Sequence, residues 1–304
     1  MLELWAVPFL IMIGFALKDS INCVGDKQFN ELFKYDNLII LNDSVSTINE
    51  ELSETFNDFI EKPILLNQTS YKVVDDKNSL DIYMIVPEQN DSTFSDYFVL
   101  REEESYKALE LTDDGVIITP KIKDRFGVKV GDTITIENLD KKQYEVKVIG
   151  ITENYVSNYI YMSNTYYEKI FNEQIKYNVV VSKNVEDQDK IATELLKSGK
   201  ILSINFREDL LETANNGVSG LNNIVALLVV ISSLLAFTVL YNITSINISE
   251  RTREIATLKV LGFNDGETNE YIYREITITV IIGIILGLIL TPNITWLYYG
   301  ITRN

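Results

Sequence analysis

The chain contains no histidine and a single cysteine, Cys23, in 304 residues. This removes histidine general-base catalysis, histidine-ligated metals, an internal disulfide and cysteine-cluster metal sites. No GxxxxGK[ST] phosphate loop occurs, so the chain cannot bind ATP in that manner. The acidic groups Asp75-Asp76, Glu102 to Glu104 and Asp113-Asp114 lack the ligand spacing of a calcium loop and read as solvated surface. What remains is the stretch Asn242 to Phe263, NITSINISERTREIATLKVLGF. It sets Glu250, Arg251, Arg253, Glu254 and Lys259 among Ile255, Ala256, Leu258, Val260 and Leu261. Mixed charges beside apolar side chains do not make or break bonds; they suit recognition, with an apolar anchor in a groove and charges choosing the partner. No catalytic residue, cofactor or metal ligand is expected, and the chain reads as a non-enzyme.

This stretch sits between two uncharged runs. From Leu221 to Ile246, and from Ile276 to Thr302, there is no Asp, Glu, Lys or Arg. Each is long enough to cross the hydrocarbon core as a helix. Ser232 and Ser233 allow close helix packing in the first run. In the second, Gly283 and Gly287 form a GxxxG pattern that can pair helices, Pro292 ends or kinks the span, and Trp296, Tyr298 and Tyr299 resemble an interfacial belt. A shorter apolar run, Leu4 to Leu17, reads as a first membrane helix. Arg251, Arg253, Lys259 and Arg274 put the short loop on the cytoplasmic side. The large polar region then lies outside, and the chain is a multi-pass protein of a cell membrane, with a bacterial plasma membrane expected. A net charge of −17 and a pI near 4.5 argue against nucleic acid as a partner.

The polar region from about Lys18 to Gly220 mixes strand and helix signals. A helix over Lys18–Lys34 leaves the membrane. Strands are expected at 37–42, 68–74, 80–86, 116–119, 133–136, 144–151, 159–162, 178–182 and 201–206. Helices are expected at 48–60, ended by Pro63, and at 122–126, 165–171 and 187–197, the last with Ile191, Leu195 and Leu196 inward. Gly131-Asp132 marks a turn. Interspersed strands and helices give an α+β domain large enough to bury its own core. Ser249 is expected to cap a helix over 249–261, with Arg251, Glu254 and Leu258 near one face and Gly262 as the stop. The competing reading is an amphipathic helix lying on lipid headgroups.

YNITSINISERTREIATLKVLGF resembles the cytoplasmic segment of the FtsX-like, MacB-type permeases of ABC systems. The matching residues are Glu250, Arg251, Arg253, Glu254, Ile255, Ala256, Leu258, Lys259, Gly262 and Phe263. YIYREITITVIIGIILGLIL resembles that family's next helix, and GVKVGDTITI a piece of its periplasmic core domain. The resemblance implies a membrane protein with α-helical transmembrane segments and an α+β extracytoplasmic domain. Its parts are a short first helix at 1–20, the outer domain at 21–218, a membrane helix at 219–246, a coupling segment at 247–269, a further helix at 270–292 and an outer tail at 293–304. The family unit would add a fourth helix there, so the sequence reads as a fragment of a larger permease. By resemblance, Glu250, Arg251, Arg253, Glu254, Leu258, Lys259, Gly262 and Phe263 contact a cytoplasmic ABC ATPase, whose hydrolysis moves the outer domain in export or mechanotransmission. Gly283 and Gly287 pack against a second permease half or a second copy, with membrane lipid around them. Two other readings are a regulator that activates an extracytoplasmic cell-wall hydrolase and an inactive truncated permease.

Overall fold

The computed structural model describes residues 23–56, 59–89, 92–184 and 187–264, and scattered positions from 266 to 285. The expected first helix at 1–20, most of the span at 270–292 with Gly283 and Gly287, and the tail 293–304 lie outside the described residues. Cys23–Asn215 forms one compact unit, and the described residues from Asn216 onward belong to a second.

The first unit is built on nine strands: β1 (Asn37–Val45), β2 (Ile60–Val74), β3 (Ser79–Pro87), β4 (Val116–Ile118), β5 (Thr133–Glu137), β6 (Gln143–Ile151), β7 (Tyr159–Met162), β8 (Tyr177–Asn184) and β9 (Ile201–Phe206). They are ordered β3-β7-β4-β6-β5-β2-β8-β1-β9, and β2 also pairs with β3. That extra pairing closes β2, β3, β7, β4, β6 and β5 into a ring. The long β2 makes this possible. Its first half pairs with β8 through Ile64↔Val181, and its last residues pair with β5 through Lys72↔Glu137. Its other edge runs along β3 from Leu66↔Pro87 to Val74↔Ser79. Most pairs are antiparallel; β3–β7 and β4–β6 are parallel.

Two apolar clusters lie on opposite faces of these strands. On β4, Val116 and Ile118 belong to the larger cluster and Ile117 to the other. On β8, Val180 joins the first, and Val179 and Val181 the second. Alternation sends successive side chains to opposite faces, and both faces are covered, so β8 reads as a continuous apolar run. The larger cluster is packed by α2 (Glu50–Phe56), α4 (Pro120–Phe126), α5 (Asn164–Phe171) and α6 (Gln188–Lys197). The smaller receives Phe29 and Leu32 of α1 (Lys27–Leu32), a π-helical turn, and Phe94 of α3 (Ser92–Ser95).

Local chemistry sets the boundaries. The Ser163 hydroxyl accepts the Tyr166 N–H at 3.0 Å to start α5, and Asp187 accepts the Asp189 N–H at 3.0 Å to start α6. Asn49 accepts the Leu52 N–H at 2.9 Å, so α2 starts after it and ends at Phe56 rather than running to Ile60. Pro63 does not end that helix. It lies inside β2, beside Lys62 at φ +49° and at a register shift between Glu61 and Ile64, a bulge where the missing proline N–H costs no ladder bond. Leu196 is 45% exposed, because only Ile191 and Leu195, four apart, share the inward face of α6. Gly131 has φ +102° in the turn that precedes β5.

A polar clasp holds α1 down. Glu153 is buried. It accepts from Arg101 Nε at 2.6 Å and from the Tyr155 hydroxyl, and Lys27 Nζ lies 3.6 Å away. Arg101 also reaches Glu31 at 2.5 Å. Gln28 Oε1 accepts the N–H groups of Tyr155 and Val156 at 2.8 and 3.1 Å. Burial pushes the Glu153 carboxyl up, but the bonds from Arg101 and Tyr155 and both cations hold it below its usual value. Burial and the anionic Glu153 push the Tyr155 hydroxyl up to about 12.

The second unit holds most of α7 (Arg207–Glu250) and all of α8 (Thr252–Val260). Within α7, Asn223–Glu250 is long and apolar enough to cross a membrane, with a mean hydropathy of 2.6 in its most apolar stretch. It is the only such helix among the described residues. Ser232 and Val239, seven apart, are buried, whereas Leu234 and Phe237 are 63% and 70% exposed. Ser233 does not join the packed stripe; it is exposed and its hydroxyl donates to the Val229 carbonyl at 2.7 Å.

Candidate coupling segment

The charged stretch is not one helix starting at Ser249. Ser249 and Glu250 complete the last turn of α7, and Arg251 breaks the helix at φ −100°, ψ 13°. The Thr252 hydroxyl donates to the carbonyls of Ile248 and Ser249, both at 3.0 Å, which satisfies part of the terminating turn. The Arg251 carbonyl then accepts the Ile255 N–H at 3.0 Å and opens α8. Arg251 is therefore the N-cap, without a side-chain cap bond, and not a member of the α8 face that Glu254 and Leu258 were expected to share with it. Glu254 lies in the first turn of α8 and Lys259 in the last, as the helix dipole favours.

The far end explains two of the motif residues. Gly262 has φ +95°, its N–H bonds the Lys259 carbonyl at 3.1 Å, and the Phe263 N–H bonds the Leu258 carbonyl at 3.2 Å. This pair of bonds closes a helix through a left-handed residue, a position that favours glycine. Asn264 follows at once. Its N–H bonds Glu267 Oε2 at 3.0 Å, and the Glu267 N–H bonds Asn264 Oδ1 at 2.9 Å. That reciprocal box begins the next helical turn. The Asn-x-x-Glu spacing of Asn264 and Glu267 is a local start signal that the sequence carries.

Among the expected contact residues, Arg253, Glu254 and Lys259 are exposed, while Arg251 and Leu258 are half-buried. The most exposed apolar groups of the segment are Val260 and Leu261, from the apolar side read in the sequence, and Phe263, one of the expected contacts. Val260 is 88% and Leu261 71% exposed, and Phe263 is 49% exposed. They cluster at the end of α8 and its stop, where helical periodicity no longer marks an inward face. Asp75, Asp76, Asp113 and Asp114 are exposed, yet two of these carboxylates shape local structure. Asp75 accepts the N–H groups of Lys77 and Asn78 at 2.7 and 2.5 Å, and Asp113 accepts the Ser163 hydroxyl at 2.7 Å. The Asp75 carboxyl is held below its usual value by those backbone bonds.

The chain is similar to the periplasmic region of MacB from Actinobacillus actinomycetemcomitans at 15% identity, with a TM-score of 0.36, over 60% of this chain and 94% of that one. It is similar to the extracellular domain of the noncanonic ABC-type transporter YknZ from Gram-positive bacteria at 16% identity, with a TM-score of 0.35, over 56% and 97%. A domain of a putative permease protein from Porphyromonas gingivalis matches at 13% identity, with a TM-score of 0.30, over 55% and 82%. Comparison with curated proteins gives no match. Residues 226–303 match the model of the FtsX-like permease C-terminal family.

Proposed function

We propose that the chain is the transmembrane permease component of an ABC system in a bacterial plasma membrane. In this reading, residues 247–269 face the cytoplasm, the Cys23–Asn215 unit lies outside, and a separate ABC ATPase docks on the segment from Glu250 to Phe263. Hydrolysis by that ATPase moves the outer unit, in export or mechanotransmission. The observation that carries the reading is the family match over residues 226–303, which takes in this segment whole. Two physical features support it. The apolar groups Val260, Leu261 and Phe263 stand in solvent beside charges of both signs, a composition suited to a protein groove. An anionic lipid surface would favour mainly Lys and Arg. A second permease half or a second copy completes the membrane region in this proposal.

The test is co-purification of ATPase activity with the tagged chain from native membranes. Leu261→Asp alters an exposed side chain, so folding and membrane insertion stay intact while recovered ATP hydrolysis falls at least tenfold. Leu258→Asp acts in the same direction, and reversing Arg251 and Glu254 together has a smaller effect. Undiminished ATPase recovery with Leu261→Asp and Leu258→Asp removes the docking role and leaves the lipid-surface helix as the account.

A further inference from the structure

The end of β3 leaves a cavity in the first unit. β2 and β3 pair as far as Leu66↔Pro87, and the last rung is the Glu88 N–H bonded to the Leu65 carbonyl at 3.0 Å. Beyond it the two chains part. β2 continues through Ile64 and Pro63 along β8, and α3 follows in the chain from Ser92. The gap between them has a volume of about 190 Å³. Its apolar walls include Pro63, Ile64, Pro87 and Phe94, and its polar side includes Glu88 and Thr93. Phe94 is buried and stacked on Phe98 at 5.0 Å, so that wall is fixed.

Glu88 is the unusual member. Its backbone is used twice, by the rung to Leu65 and by Asn164 Nδ2, which donates to its carbonyl at 2.7 Å. Its carboxylate has no hydrogen bond or ion pair among the described residues, and burial alone pushes it above its ordinary value. A partly buried carboxylate beside apolar side chains loses part of its hydration, and a cation that meets it restores the balance. One carboxylate is too few oxygens for calcium. An organic monocation satisfies both parts of the site, with its charge on Glu88 and its alkyl body against the prolines and Phe94. An apolar cavity of about 150 Å³ holds a benzene ring, so this one has room for a short alkyl chain. The chain's charge of −17 also draws cations toward the surface.

We propose that this cavity binds an alkylammonium group, carried either by a free amine or by a lysine side chain of a peptide. The proposal does not depend on ATPase docking, and it is tested apart from it. The experiment titrates the full chain in detergent with n-butylammonium, with n-butanol as the neutral control, followed by ligand-observed NMR. The native chain binds the amine saturably and not the alcohol. Glu88→Gln keeps the shape and weakens amine binding at least tenfold. Gln89→Trp, made at an exposed lining residue, obstructs the cavity and weakens it similarly, so a folding defect in the first variant does not decide the matter. No binding to the native chain, or equal binding to the native chain and Gln89→Trp, overturns the proposal. A doubly blocked Ala-Lys-Ala peptide that binds tighter than butylammonium assigns the site to peptides; one that binds more weakly assigns it to free amines.

Discussion

The sheet unit and the helix α7 use the same apolar residue types and expose them oppositely. Ile118, Val180 and Val181 are fully buried, whereas Leu227, Leu234 and Phe237 stand largely exposed on α7. In water a continuous exposed stripe of this kind is not tolerated; in hydrocarbon it is the low-energy arrangement, because a helix satisfies its own backbone and needs no apolar partner. Burial of an apolar side chain therefore reports the medium around an element as much as its packing. In the sheet, water is the alternative and the core gains from excluding it. Among the described side chains of α7, Ser232 and Val239 are the buried ones.

The largest expected effect sharpens this contrast. Phe56, 2% exposed in the main cluster, changed to Ala removes a filled volume and costs about 3–5 kcal/mol. Phe237→Ala on α7 leaves the stability of the sheet unit within about 0.5 kcal/mol. Urea unfolding of the full chain in detergent, followed by near-ultraviolet circular dichroism, reads both. Similar losses for the two phenylalanines would break the comparison.

The clasp at Glu153 comes next. Glu153→Gln strips the anion from between Arg101 and Lys27, and breaking a buried pair in this way costs about 3 kcal/mol. The pH dependence has a definite sign. Because the folded Glu153 carboxyl lies below its ordinary value of 4.5, its contribution is full above that value and is lost as the pH falls through the lower folded value. The native chain should lose stability there more steeply than the Gln variant, measured by urea midpoints across an acid series. Parallel curves would show that the clasp adds nothing.

The smallest effect is local. Gly262→Ala places a methyl-bearing residue at φ +95°, which costs about 1–2 kcal/mol. It loosens the stop of α8 without touching the sheet. Faster hydrogen exchange at the Phe263 amide, which bonds the Leu258 carbonyl, is the expected readout. An unchanged rate there would mean the turn does not need a glycine.

Several features were legible because they are local. The uncharged run at Leu221 to Ile246 marks, by composition alone, a helix apolar enough to span a membrane, and that run lies within α7. Gly262 marks the end of α8 because few other residues accept its backbone angle. Asp187 and Ser163 mark helix starts through bonds only two or three residues long. Reading failed where a distant partner decided. Pro63 looked like a helix stop, but pairing of β2 with β8 turned it into a bulge. Ser249 looked like a cap, but α7 continued through it.

The sequence by itself determined which stretches are apolar, where some of the helices and strands start and stop, and that the chain carries no histidine or phosphate loop. Those properties depend on near neighbours and on composition. Only the tertiary structure decided that β2 meets both β3 and β5 and so closes a ring, that Glu153 meets Arg101 and Lys27, and that Glu88 lines a cavity with Pro63, Pro87 and Phe94. Each of these joins residues far apart in the chain, and their spacing carries no local signal. They follow from the free energy of covering both faces of one sheet at once.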